Sequence, residues 1–84
     1  MYYMYVLKSK SDDNLYIGST NDLKRRLAEH NSGKSFATKS RGPFALKYYE
    51  AYTSEADARH REYALKNNGR VLFQLKQRIK ASLQ

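Results

Sequence analysis

From Tyr2 to Lys8 both alternating sets of side chains are apolar, Tyr3, Tyr5 and Leu7 in one set and Tyr2, Met4 and Val6 in the other. A strand with one wet face shows polar residues at every second position, so this pattern predicts a central strand covered on both sides. Ser9 to Asn14 is polar and carries Asp12, Asp13 and Asn14, residues that tolerate turn conformations, before Leu15, Tyr16 and Ile17 resume the apolar pattern. The combination predicts a hairpin. Gly18, Ser19, Thr20 and Asn21 interrupt the second strand and offer a helix N-cap, with Asp22 in the first turn, where the helix dipole favours an acid. The helix is predicted to reach about Asn31. Within it Leu23, Arg26, Leu27 and His30 recur at i, i+3, i+4 and i+7, which sets Arg26 and His30 beside the core while Lys24, Arg25 and Glu29 point elsewhere.

Asn31 to Pro43 has no periodicity and is rich in Ser, Gly, Lys and Arg, so it reads as a mobile basic loop carrying Lys34, Lys39 and Arg41, suited to tracking a phosphate backbone. Phe44 to Tyr52 is a third strand, with Leu46 and Tyr48 alternating against Lys47 and Tyr49. Thr53 and Ser54 then cap a second helix, Ser54 and Asp57 forming an acidic variant of the capping box, and Asn68-Gly69 is a left-handed stop after about Asn67. Periodicity allows either face of this helix to point inward: Ala58, Arg61, Glu62 and Leu65, or Ala56, His60 and Tyr63. Arg70 to about Ser82 forms a last amphipathic helix, with Leu72, Leu75 and Ile79 inward and Arg70, Lys76, Arg78 and Lys80 outward. The fold class is α+β, a three-stranded sheet with three helices in the order β-β-α-β-α-α. No repeat or linker divides it, so residues 1–84 are expected to form a single domain.

Composition narrows the picture. There is no cysteine, so neither a disulfide nor a thiolate zinc site can hold so small a core, and packing alone must do so. No apolar run approaches the roughly 20 residues that a bilayer helix needs, and Met1 to Lys10 lacks the layout of a secretory signal. A cytoplasmic, soluble protein is expected. Sixteen Lys and Arg against eight Asp and Glu leave a formal charge of +8, a positive field that attracts polyanions, with nucleic acid first among them.

Most of the acids, namely Asp12, Asp13, Asp22, Glu29, Glu50, Glu55 and Asp57, are explained as turn, cap or surface charges. Glu62 stands apart, mid-helix beside Ala58 and Leu65 and amid Arg59, Arg61 and Lys66. Alone it reads as an ion-pair partner. With Arg26, His30 and the hairpin tyrosines Tyr5 and Tyr16 it reads as a site for phosphodiester hydrolysis. That chemistry needs a carboxylate for a hard divalent cation, a cationic donor for the charge developing on phosphorus, and a group that takes a proton from water. Each of these residues also has a structural reading, the tyrosines as buried aromatics with satisfied hydroxyls and His30 as a neutral helix-edge histidine.

Tyr3-Met4-Tyr5 followed by Tyr16-Ile17-Gly18, then Leu23 to Leu27 with Arg26, Glu29-His30-Asn31, Lys47 to Glu50, and Ala58 to Lys66 with its Arg61-Glu62 pair, resembles the GIY-YIG nuclease module. The likeness extends to the Gly69-Arg70 start of the last helix. That family includes the catalytic part of the excision-repair subunit UvrC, homing endonucleases, some restriction enzymes and small stand-alone bacterial proteins. The resemblance implies an antiparallel sheet flanked by helices, and it selects the Glu62 face of the second helix as the inward one. It also implies a DNA endonuclease in which Glu62 and waters hold one Mg²⁺ or Mn²⁺. By position Tyr5 and Tyr16 match the motif tyrosines, one of which would help deprotonate water, Arg26 the catalytic arginine, and His30 a histidine found in many members. The pattern departs at Tyr3, which stands where the name-giving glycine falls. No separate DNA-reading unit is evident, so affinity is expected from Lys34, Lys39, Arg41, Arg70 and Lys76, contacts that neutralise phosphates without reading bases. A monomer is expected, with a dimer left open, as is RNA as a partner. The competing expectation is a basic nucleic-acid-binding module of the same fold that does not cut.

Overall fold

The computed structural model describes residues 1–84. The elements are β1 (Tyr2–Ser9), β2 (Leu15–Thr20), α1 (Leu23–Asn31), β3 (Phe44–Tyr52), α2 (Glu55–Asn67) and α3 (Gly69–Arg78). The two-faced apolar strand β1 lies in the middle of the sheet, in the order β2-β1-β3 with both pairings antiparallel. Its two faces feed two cores. Met4 and Val6 pack with Ile17 of β2, Leu65 of α2, and Leu75 and Ile79 at α3. Tyr5 and Leu7 pack with Phe44 on the other face, where Leu23 and Leu27 of α1 close over them. The expected α+β arrangement of three antiparallel strands and three helices is therefore the one observed. No helix is long and apolar enough to cross a membrane.

The hairpin closes where Ser9 donates its N–H to the Asn14 carbonyl at 2.9 Å. Asp13 takes a left-handed φ of 59°, a conformation that short acidic side chains tolerate in turns. Strand β2 runs further than expected: Gly18 does not break it but pairs across from Tyr5, and pairing continues to Tyr3↔Thr20. Helix α1 therefore starts one step later. Asp22 is its N-cap, not a first-turn acid, and accepts from the Arg25 N–H at 3.0 Å. At the other end Gly33, with φ +79°, turns the chain so that Lys34 N–H reaches the Glu29 carbonyl at 3.0 Å, a left-handed helix stop.

The segment after α1 is not the free loop that its composition suggested. Asn31 grips both backbone groups of Phe44, accepting from N–H at 2.6 Å and donating to the carbonyl at 3.1 Å. Ser35 and Thr38 are buried. Ser9 and Ser11 both donate to the Arg41 carbonyl, and the Arg41 guanidinium pairs with Asp12 at 3.1 Å. Short polar side chains here satisfy backbone groups at fixed points, which local composition does not reveal.

Strand β3 holds the largest departure from simple alternation. Val6 pairs with Tyr48 but Leu7 with Leu46, so Lys47 is an extra residue, a β-bulge. A one-residue insertion exchanges faces. Leu46 thus packs towards α1 and Tyr48 towards α2 and α3, where strict alternation had put them together.

In α2, Ala58 and Leu65 are buried while His60 and Tyr63 are exposed, so the face carrying Arg61 and Glu62 is the inward one. Ser54 is its N-cap but makes no side-chain bond, and the expected capping box is not formed. Asn68 is not left-handed either. At φ −136° it ends α2 and caps α3, accepting from the N–H groups of Arg70 and Val71, and Gly69 lies inside α3. Helix α3 stops at Arg78, short of Ser82, because the tail bends back over the sheet: Lys8 takes the Leu83 carbonyl at 2.7 Å and Lys47 that of Gln84 at 2.9 Å.

Candidate active site

The close approach of β2 to β1 sets the first contact. A Cβ on Gly18 would overlap the Tyr5 hydroxyl and lie 2.6 Å from its Cζ, so only glycine leaves room for the phenol. Tyr5 is 2 % exposed. Its hydroxyl lies 2.9 Å from His30 Nε2, and His30 Nδ1 lies 2.6 Å from Thr38 Oγ1. The expectation that His30 lies by the core is met: it is 1 % exposed, and Thr38 is fully buried.

Burial pushes the Tyr5 phenol up to about 12, against the pull of Arg26. Burial, and after it the Arg26 charge, lowers His30 below its ordinary value. A protonated phenol and a neutral imidazole fit one arrangement, with Tyr5 donating to Nε2 and Nδ1–H donating to Thr38. Tyr16 stands edge-on to the same histidine, ring centroids 4.9 Å apart, and 6.4 Å from the Tyr5 ring. It is only half-buried and lines a cleft of about 440 Å³ with Lys66 and Lys76.

Arg26 extends along α1 to Glu29, Nη1 to Oε1 at 2.9 Å, with Nη2 3.4 Å from Ser35 Oγ. The Glu29 bond, with lesser help from Tyr5, raises the guanidinium above its ordinary value, and the same Arg26 bond lowers Glu29. Glu29, read from the pattern as a solvent charge, is thus the group that holds Arg26. Arg26 lines a cleft of about 380 Å³ with Arg25, Arg59 and Ser19.

Glu62 projects from the inward face of α2, its side chain 21 % exposed. Oε1 accepts from Ser19 Oγ at 2.6 Å, and Oε2 faces Lys66 Nζ at 2.6 Å. No cluster of three metal-binding side chains exists. Glu62 shares a cleft of about 320 Å³ with Arg59 and Lys66. Arg59 also lines the Arg26 cleft and Lys66 the Tyr16 cleft, so the Glu62 cleft shares a basic wall with each of the other two. The Tyr5 phenol feels Arg26, Tyr16 and Glu62 together.

The structure therefore brings Tyr5, Tyr16, Arg26, His30 and Glu62 into one region. The phosphate-binding candidates are not gathered there alike. Lys76 lines the Tyr16 cleft, whereas Lys34, Lys39 and Arg70 are exposed and line none of the three clefts. Arg41 is committed to Asp12 and packs against the Phe44 ring at 5.5 Å. Sequence reasoning missed Ser19, Glu29, Thr38 and Lys66. Of these, Lys66 had a visible signal, four residues beyond Glu62 on a helix. Glu50, also set aside as a surface charge, is half-buried on the α2 side, bonded to Tyr48 and Tyr52 and paired with Arg61 at 3.0 Å. Burial raises its carboxyl, but these bonds outweigh burial and leave it below its ordinary value.

The profile of the GIY-YIG catalytic domain matches residues 1–79. The chain belongs to the GIY-YIG family. That family is one of nucleases, which agrees with the resemblance carried by the two tyrosine motifs. Similar chains include UPF0213 proteins of Clostridium perfringens (strain 13 / Type A), 43 % identical over 79 % of this chain and 71 % of that one, and of Halobacterium salinarum, 39 % identical over 84 % and 92 %. The solution NMR structure of a UPF0213 protein from Bacillus halodurans is 39 % identical, with a TM-score of 0.57, over 92 % of this chain and 84 % of that one. These relatives' names state no activity.

Proposed function

We propose that this GIY-YIG chain, acting as a single domain, is a metal-dependent endonuclease that hydrolyses DNA phosphodiester bonds with little sequence preference, in repair or processing of DNA. The observation that carries the reading is the set of neighbouring clefts lined by Arg26, Glu62 and Tyr16, which share the basic residues Arg59 and Lys66, backed by the buried Tyr5–His30–Thr38 chain.

Glu62 suits a hard cation. It is a half-buried carboxylate that already holds an ammonium, and Mg²⁺ is commonly bound by one or two carboxylates together with waters and substrate phosphate oxygens. Mn²⁺ takes similar oxygen ligands. Glu62 would hold the ion once the flexible Lys66 side chain swings aside, and the bound ion would neutralise charge on the phosphate and the leaving oxygen. Arg26, fixed by Glu29, places a permanent positive charge against the phosphate as negative charge grows on its oxygens. Tyr16 is the phenol that solvent reaches, beside the Lys66 ammonium at 5.6 Å from its ring, and we assign it the proton from the attacking water. Tyr5, protonated and buried, fixes His30, and His30 supports the Tyr16 ring. Ser19 holds the Glu62 carboxylate in register with β2.

Cleavage of supercoiled plasmid at low salt, with Mg²⁺ or Mn²⁺ and with EDTA, tests this. Metal-dependent nicking is expected, falling at least about 100-fold in Glu62→Ala and Arg26→Ala, with DNA binding kept. The second reading, a binding module that does not cut, draws on the engagement of both Glu62 oxygens by Ser19 and Lys66. Absence of nicking under every metal, with binding indifferent to both changes, would select it.

A further inference from the structure

Phe36 is 86 % exposed and belongs to neither core. A single exposed apolar residue is ordinary on a protein surface. The mounting of this one is not. Its neighbours in sequence, Ser35 and Thr38, are buried and point inward, Ser35 Oγ to the Arg26 guanidinium at 3.4 Å and Thr38 Oγ1 to His30 Nδ1 at 2.6 Å. Two hydrogen bonds to side chains of the candidate site thus anchor the turn that carries the ring. Lys39 Nζ lies 5.0 Å from the ring centroid, and Lys34 is exposed on the same segment.

An aromatic ring held in water, with a lysine ammonium over it and its turn tied through Ser35 to the Arg26 that lines a candidate cleft, matches one ligand chemistry: a nucleobase that is free of its partner and stacks on the ring, with the cations meeting its flanking phosphates. Paired bases in a duplex are stacked on both sides and offer no face to such a ring. We propose that Phe36, with Lys39, is a stacking platform for an unpaired base, so that the preferred substrate is DNA with a gap, flap or single-stranded segment beside the scissile bond. This deepens the endonuclease reading and rests on it for the word substrate, while the binding part stands apart from cleavage.

The test measures affinity in EDTA at low salt for a gapped duplex and for the continuous duplex of the same length and sequence. The native chain is expected to prefer the gapped DNA, and Phe36→Ala to lower the ratio of the two affinities at least about fivefold, the loss of one base–aromatic stack. Phe36→Trp is expected to keep the preference. Since the chain has no tryptophan, that variant carries a single indole, whose emission should be quenched by gapped but not by continuous DNA. An equal ratio in native and Phe36→Ala proteins, or indole emission indifferent to the gap, overturns the platform. So does loss of self-association in Phe36→Ala by sedimentation with the ratio intact, which makes the ring a protein contact. Failure of the endonuclease reading shows differently, as plasmid left intact by a chain whose affinity ratio still responds to Phe36.

Discussion

Gly18 and Tyr5 face each other across the β1–β2 pair, and the space between them is a feature that one methyl group removes. Gly18→Ala is expected to cost about 1–3 kcal/mol, as overpacking does in a close-packed interior, and to displace the phenol from His30. Thermal unfolding together with plasmid nicking reads both effects; unchanged melting would mean that the strands separate freely there. The buried histidine makes a pH prediction. Its folded value lies below the ordinary 6.5, so as pH falls through 6.5 the unfolded chain takes a proton that the native chain refuses. Stability from this group is complete above 6.5 and is lost on acidification until the lower folded value is reached. Tm against pH should therefore decline below neutrality, less steeply in His30→Gln, and parallel profiles would remove His30 as the cause. At the alkaline end the sign reverses in protonation but again favours the unfolded chain: Tyr5 and Tyr52, both raised to about 12, hold protons in the native state that unfolded tyrosines lose near 10. Their phenolate absorbance should rise after that of the exposed tyrosines and coincide with weakening of the fold. At this scale the sequence displayed the candidates but not their supports. Arg26 and His30 were legible because a helical stripe names its members. Glu29, Ser19 and Thr38 were not, since which polar neighbour reaches which partner depends on how α1, β2 and the 32–43 segment pack.

The same division holds for whole elements. Every strand and helix was legible from hydrophobic period, and β1 was placed centrally from its two apolar faces alone. The junctions were not, because several polar residues compete for the same end groups. Ser54 followed by Asp57 and the Asn68-Gly69 pair both carry recognised end signals, yet Ser54 caps nothing with its side chain while Asn68 accepts two N–H groups of α3. Asn68→Ala is expected to destabilise by about 1 kcal/mol, the usual cost of a lost N-cap, and Ser54→Ala by much less. Comparable losses in urea unfolding of the two variants would contradict the cap assignment. Lys47 is a further lesson of this kind. A bulge leaves no mark in a window of alternating residues, because Leu46 and Tyr48 are apolar whichever face each meets; only the pairing with Leu7 and Val6 separates them.

For the molecule as a whole, the net charge of +8 points to a polyanion partner, in keeping with a nuclease family, but charge counting overstates what each cation offers. Of the basic residues expected on phosphates, Lys34 and Lys76 are exposed without a carboxylate partner, whereas Arg41 is paired with Asp12 and bears on the Phe44 ring. A cation already neutralised by its own protein releases fewer counterions when DNA arrives. The logarithm of duplex affinity should therefore fall linearly with the logarithm of salt, and Lys34→Gln or Lys76→Gln should each make the slope shallower by about 0.9, the value of one phosphate contact on duplex DNA. Arg41→Gln should change the slope less and lower Tm more, since the ion pair between the β1–β2 turn and the 32–43 segment is lost with it. Equal slope changes in all three, with Tm unmoved in Arg41→Gln, would mean that Arg41 leaves Asp12 for the phosphate when DNA binds. The Asp12 pairing would then be a resting contact of the free protein rather than a fixed clamp.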